Sequence, residues 1–178
     1  KEASSRGTQT YWHPEELTSF LNRNRFVHDR ASDFPILNEE VVEKTLRELC
    51  ETSRSFKDLQ EANFIATLRT KLTPQEQSLM DRLAPSHIAL DAGRRVVIHY
   101  DQGKPPWAES RIQDFFGMKK GPMVGGGEVP VVLHLLSPRQ QPLQVTSDLA
   151  GFWVNHYPQI RKEMMRRYPR HKWPEIPA

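Results

Sequence analysis

The hydrophobic pattern changes period near residue 84, and this switch constrains the fold more than any other feature. Before it, apolar residues recur at three-and-four spacing, the mark of helices buried on one side; after it they alternate or form short runs, the mark of strands. In the first part Pro14 lies just inside a run with Leu17, Phe20, Leu21 and Val27 on one face. Asn38 is placed to cap a second helix carrying Val41, Val42, Leu46, Leu49 and Cys50. Ser55 with Asp58 three residues later starts a third, whose apolar residues Leu59, Phe64, Ile65, Leu68 and Leu72 can be shared between two short pieces. The firmest local signal is Thr73-Pro74-Gln75-Glu76. A capping threonine, a proline at the first helical position and a glutamate at the third satisfy two free backbone donors reciprocally.

In the second part, His87 to Leu90 and Arg94 to Tyr100 read as short strands joined by a turn at Asp91-Ala92-Gly93. Ser110 and Gln113 have capping-box spacing ahead of Ile112, Phe115 and Phe116, with Gly117 as terminator, which predicts a two-turn helix. Residues 117–130 read as a loop. Val131 to Leu136 is apolar on both faces except at His134, which predicts a central buried strand, and Leu143 to Val145 can pair back on it after a turn. Thr146-Ser147-Asp148 offers a cap for a helix carrying Leu149, Phe152 and Trp153, with Trp153 assigned to the core. Pro158 breaks or restarts that helix, and a last one with Ile160 and Met164 ends near Tyr168-Pro169. The expected fold is therefore α+β: a helical N-terminal half over 1–83, then over 84–178 a small mixed β-sheet region with packed helices and a C-terminal basic helix.

With 37% hydrophobic and 26% charged residues among 178, the chain is compatible with a folded unit that also has exposed segments. No apolar run approaches the ~18 residues of a membrane-spanning helix. The start at Lys1-Glu2-Ala3 has no initiator methionine, which reads as a cut inside a longer protein. A single cysteine, Cys50, forms no internal disulfide and no Cys/His cluster has zinc spacing, which suits a reducing, cytoplasmic setting without structural metal; Cys50 is expected to be a plain buried thiol.

Catalytic motifs are missing. Gly103-Lys104 is followed by Pro105 and lacks the upstream glycine of a phosphate loop, and there is no G-x-S-x-G elbow, H-E-x-x-H helix or EF-hand loop. Gly125-Gly126-Gly127 leads into a strand rather than a helix, so it lacks the helix-end field that strengthens anion sites. His99, Asp101, Asp114 and His134 are the one scattered set with acid/base or metal-binding chemistry. Their sequence spacing does not bring them together, and a hydrogen-bonded core histidine is the expectation for His134.

Charge distribution is more telling than its sum. Residues 1–80 hold 11 Lys/Arg and 13 Asp/Glu, residues 81–178 hold 14 and 9, so the net +3 is made of -2 and +5. From 151 to 178 there are six Lys/Arg against two Asp/Glu. Arg161, Lys162, Arg166 and Arg167 form two basic pairs one helical turn apart. They are followed by Tyr168-Pro169-Arg170-His171-Lys172-Trp173-Pro174, where cations alternate with rings. Such a segment neutralises phosphates and stacks unpaired bases at ~1–3 kcal/mol each. The same composition equally suits a solvated basic face with Tyr168 and Trp173 pinning the tail to the body.

Two stretches carry a family resemblance. Val129-Pro130-Val131-Val132-Leu133-His134-Leu135-Leu136-Ser137-Pro138 with Pro142-Leu143-Gln144-Val145-Thr146-Ser147-Asp148-Leu149-Ala150-Gly151-Phe152-Trp153, and Arg161-Lys162-Glu163 with Arg167-Tyr168-Pro169-Arg170-His171-Lys172-Trp173-Pro174, closely resemble the C-terminal region of bacterial HrpB-type ATP-dependent helicases. Asp81-Arg82-Leu83-Ala84-Pro85 and Arg111-Ile112-Gln113-Asp114-Phe115-Phe116-Gly117 are similar to the same region. The likeness covers roughly 81–178, with Met164-Met165 where leucine is common and Glu175-Ile176-Pro177 for the usual Glu-Asp-Pro ending. It implies a DEAH-type superfamily 2 parent with two RecA-like motor domains, a winged helix, a helical bundle and an oligonucleotide-binding-type barrel ahead of this region. ATP and Mg would belong to that motor, whose residues have no counterparts here, so this segment is expected to hold no cofactor and not to hydrolyse ATP. Two roles follow as expectations. Arg161, Lys162, Arg166, Arg167, Arg170, His171, Lys172 and Trp173 contact single-stranded nucleic acid, RNA more than DNA; or the module docks on the motor domains of its chain or a protein partner without touching nucleic acid.

Overall fold

The computed structural model describes residues 14–53 and 63–178, so the expected helix start at Ser55 and Asp58 lies outside the described residues. The chain divides into two compact units, Lys1–Ala84 and Pro85–Ala178.

The first unit is helical, and its helices begin where side-chain oxygens are available to cap them. Helix α1 (Pro14–His28) has Glu15 and Glu16 in its first turn and Arg25 and His28 in its last, complementing the helix dipole. It buries Leu17, Phe20 and Val27 on one side. Asn24, fully buried on the same helix, accepts from Leu37 N (2.8 Å) and donates to Pro35 O (3.0 Å), which fixes the connection to the next helix. Helix α2 (Glu39–Thr52) starts with Asn38 accepting from Val41 N at 3.1 Å, as its position in the sequence predicts. Cys50 on this helix is half-buried rather than buried. Helix α3 (Phe64–Arg69) is capped by Asn63, and α4 (Pro74–Leu83) by the full reciprocal box: Thr73 Oγ1 accepts from Glu76 N (3.3 Å) and Glu76 Oε2 from Thr73 N (2.7 Å). Asp81 gathers Arg69 and Arg23. The hydrogen bond from Arg69, then that from Arg23, holds its carboxyl below the ordinary carboxylate range against the opposing effect of burial. Arg23, itself buried, also donates to Ala84 O at 2.6 Å.

The second unit is mixed, as expected. Strands β1 (His87–Ala89) and β2 (Arg95–Val97) pair antiparallel, with Gly93 at φ 82° in the turn between them. Strand β3 (Trp107–Arg111) pairs parallel with β6 (Val132–Leu136), and β6 pairs antiparallel with β7 (Pro142–Thr146), giving the order β3-β6-β7. The central position of β6 agrees with its apolar run. Its burial alternates, with Leu133 and Leu135 buried and Val132, His134 and Leu136 half-exposed, so one face of this sheet is only partly covered. The β6–β7 pairing shifts register between Leu135 and Leu136, just before the turn.

Two expectations for this unit are corrected. Ser110 lies within strand β3 and does not cap a helix: its hydroxyl, in a 4% exposed residue, donates to Asp114 Oδ2 at 2.6 Å, and Ile112–Phe115 is one turn of 3-10 helix. Asp114 is buried and also takes Arg111 and Arg94, so the local serine signal is redirected by a carboxylate that two arginines stabilise. Within 117–130, read as a loop, β4 (Met123–Val124) and β5 (Val129–Pro130) form a small hairpin around a 3-10 turn at Gly125–Gly127.

Helix α5 (Leu149–Asn155) begins where Asp148 accepts from Gly151 N at 2.9 Å, and α6 (Tyr157–Arg167) restarts the helix with Pro158 in its first turn. Trp153 is in the core as expected: its indole donates to Met118 O at 2.8 Å and its ring meets Phe116, Phe152 and Tyr157. No described helix is long and apolar enough to cross a membrane.

Candidate nucleic-acid interface

Helix α6 turns one side to the core and the other to water, and its spacing determines which cations are free. Tyr157, Met164 and, just past its end, Tyr168 are buried at helical intervals; Arg161 shares that side and is half-buried. Lys162 and Arg166, four residues apart on the opposite side, are exposed and form no ion pair among the described residues. Arg167 is partly engaged: it lies 3.9 Å from Glu163, donates to Gln141 Oε1 at 3.0 Å, and sits 5.8 Å from the Tyr168 ring. The ion pair with Glu163 is exposed on both sides and contributes little.

The tail after α6 folds back as a clasp. Tyr157 Oη donates to Pro174 O (2.8 Å), Arg161 Nε to Trp173 O (2.9 Å), Trp173 Nε1 to Tyr168 O (3.1 Å) and Gly117 N to Pro177 O (2.6 Å). The Trp173 ring is 7% exposed and meets Phe116 edge-on at 6.3 Å. Of the candidate set, Trp173 is buried together with the neighbouring Tyr168, and its ring presents no open face in this structure. Arg161, bonded to the tail backbone, is also a strut of the clasp. Arg170 and Lys172 remain exposed without an ion pair among the described residues, and exposed His171 lies 3.3 Å from Gln113 through Nδ1. Apart from Arg161, the cations of this segment face water, and apart from exposed His171 its rings hold the tail down.

Burial raises the Tyr157 phenol to about 12, an effect that nearby Arg161 partly opposes. Because the folded-state value lies above the ordinary value near 10, this contribution is complete below about pH 10 and is lost as pH rises toward 12. Alkaline unfolding followed by circular dichroism is therefore expected to shift to higher pH in Tyr157→Phe, while at neutral pH removal of the bond to Pro174 O costs about 1 kcal/mol. An unchanged alkaline midpoint in that variant would contradict this assignment.

The scattered set of titratable residues resolves into two places. His99 and His134 stack on the Trp107 ring, with centroids 4.1 and 4.8 Å away, and the Trp107 indole donates to Asp101 Oδ2 at 2.9 Å. Asp114 belongs to the cluster with Ser110, Arg94 and Arg111. His134 is thus a half-exposed stacking residue rather than a core hydrogen-bonding one. Sequence reasoning missed Trp107, which the parallel pairing of β3 with β6 brings beside His134. Among the described residues no group of three His, Cys, Asp or Glu could hold a metal ion.

Together these features define an α+β unit with a basic terminal helix, preceded in the chain by a helical unit. Residues 45–177 match the family described as ATP-dependent helicase C-terminal, and the chain belongs to this HrpB C-terminal family. It is 40% identical over 124 residues to the ATP-dependent RNA helicase HrpB of Escherichia coli K12, spanning 70% of this chain and 15% of that relative. The crystal structure of the E. coli DExH-box NTPase HrpB superposes with a TM-score of 0.83 at 32% identity, covering 98% of this chain and 22% of that one. That of the E. coli DEAH/RHA helicase HrpB gives 0.70 at 30% identity, over 96% and 22%. This chain therefore corresponds to under a quarter of the length of these relatives.

Proposed function

We propose that this chain is an accessory module of a bacterial, cytoplasmic ATP-dependent helicase, in which the exposed cations of α6 and its tail hold single-stranded nucleic acid while the motor of the same polypeptide translocates. The observation that carries this reading is the pair Lys162 and Arg166, both exposed, in register on the outer side of a helix whose inner side is fixed by Met164 and Tyr157. Arg167, Arg170 and Lys172 extend the positive strip, and exposed His171 stands among them in the tail. Trp173 supports the strip from beneath. RNA is the favoured strand because the E. coli relative is named an RNA helicase. ATP and Mg belong to the motor in this reading, which is the hydrolase; this chain packs on it and contributes no catalytic group.

An alternative is a docking module without nucleic-acid contact. The partly covered sheet face with His99, Trp107 and His134 favours it, because half-exposed rings suit a protein surface. Fluorescence anisotropy with a labelled single-stranded RNA of about 16 nucleotides separates the two. The first reading predicts binding whose log affinity falls linearly with log salt, by about 0.7 for each phosphate neutralised. No binding at low salt would leave the docking reading.

A further inference from the structure

The turn between β6 and β7 meets the end of helix α6, and this junction brings in a cation that the C-terminal segment does not contain. The turn is tightly made. Gln140 N donates to Ser137 O (2.9 Å), Ser137 N to Gln141 O (2.8 Å), and Gln141 N to the Ser137 hydroxyl oxygen (3.1 Å). With Pro138 in second position, this is the three-residue hairpin pattern in which a turn is followed by a left-handed residue. Here that residue is Gln140, at φ 60°, the one non-glycine with positive φ among the described residues. Glycine is the usual occupant, so surrounding groups must hold this conformation. They come from the arm: the Tyr168 hydroxyl donates to Ser137 Oγ at 3.4 Å in a site where Ser137 is fully buried, and Arg167 Nη2 donates to Gln141 Oε1 at 3.0 Å.

The consequence concerns Arg139, which stands between these two tethers. It is exposed and makes no ion pair among the described residues, and the residue two positions on is the one that Arg167 grips. A basic residue 28 positions upstream of Arg167 is thereby fixed beside the arm. We propose that the nucleic-acid strip crosses from α6 onto the β6–β7 turn, and that Arg139 is a phosphate-binding residue of the same kind as Arg166 and Arg170. This inference rests on the nucleic-acid reading above and extends its site to a second element.

The test uses the 178-residue chain and a labelled single-stranded RNA, with affinity measured over a salt series. Arg139→Ala is expected to lower the salt slope by about 0.7, and Arg139→Glu to weaken binding about 5- to 10-fold at moderate salt. Arg139→Lys should stay within about 2-fold of the unsubstituted chain, because a phosphate held as a point charge accepts either cation. Thermal midpoints are expected to be unchanged in all three, since the side chain forms no ion pair within the described fold, and this distinguishes a missing phosphate interaction from a disrupted turn. If Arg139→Glu binds with unaltered affinity and slope while Lys162→Glu with Arg166→Glu weakens binding, the strip ends on the helix and this inference fails alone. If the unsubstituted chain does not bind at all, the wider reading fails and takes this one with it.

Discussion

Trp173→Ala is expected to destabilise the unit spanning 85–178 by about 3 kcal/mol, the usual cost of removing a large buried ring, which for a unit of this size lowers the thermal midpoint by on the order of 15 °C. Three effects combine. The ring is buried against Phe116, so its removal leaves a void. Its indole proton goes to Tyr168 O, which keeps only the bond from His171 N once the indole is gone. Its carbonyl receives Arg161, and the next residue receives Tyr157, so a tail loosened at 173 releases both. Trp173→Phe keeps most of the apolar packing without the indole bond, and should cost about 1 kcal/mol. Near-ultraviolet circular dichroism during heating checks both. A Trp173→Ala chain with an unshifted midpoint but no RNA binding would mean that the ring serves bases instead of the clasp.

For Trp173 the burial of the ring favours one of the two readings that the sequence leaves open, and the reason is physical. Alternating rings and cations in Tyr168-Pro169-Arg170-His171-Lys172-Trp173 describe an arm and a clasp equally well. What decides is whether some distant surface can bury the rings. That surface is Phe116 with Tyr157 and Trp153, gathered from the end of the 3-10 turn and two helices. No local pattern announces such a gathering.

Helix starts were the most legible part of the fold. Asn38, the Thr73–Glu76 box and Asp148 cap as their spacing predicts, because each cap is an interaction within three residues. Ser110 with Gln113 has similar spacing yet fails, since the buried Asp114 takes the serine hydroxyl. Strand β6 was legible from its apolar run, and β7 as its partner. Strand β3 was not: Trp107-Ala108-Glu109-Ser110-Arg111 lacks apolar alternation, and its pairing is parallel to a strand that begins more than twenty residues later. The His99, Trp107 and His134 stack shares this cause in part: that pairing brings Trp107 beside His134, and a separate antiparallel bridge sets His99 on the other side of the ring. Lys162 and Arg166 were legible because their alignment depends only on the helix. Arg139 was not, because its neighbourhood depends on where a turn docks.

The second large effect belongs to Lys162 and Arg166. Both side chains are exposed, so replacing them leaves the buried side of α6 untouched. Arg166 lies in the last turn, where a positive charge suits the helix dipole; reversal there costs up to about 1 kcal/mol of stability. Lys162→Gln with Arg166→Gln removes the charges without that penalty and serves as the companion variant. Removing one phosphate interaction lowers the salt slope for a single strand by about 0.7, so removing two lowers it by about 1.4. Reversal adds repulsion to that effect, and the expected weakening is on the order of 50-fold at moderate salt.

The most direct measurement is the salt dependence of single-stranded RNA binding by the unsubstituted chain and by the Lys162→Glu, Arg166→Glu variant, each checked for its thermal midpoint. A steep slope is expected for the first and, for the folded variant, weaker binding with a slope shallower by about 1.4. Equal affinity and equal slope in the two proteins, or no binding by the unsubstituted chain at low salt, would contradict the nucleic-acid reading.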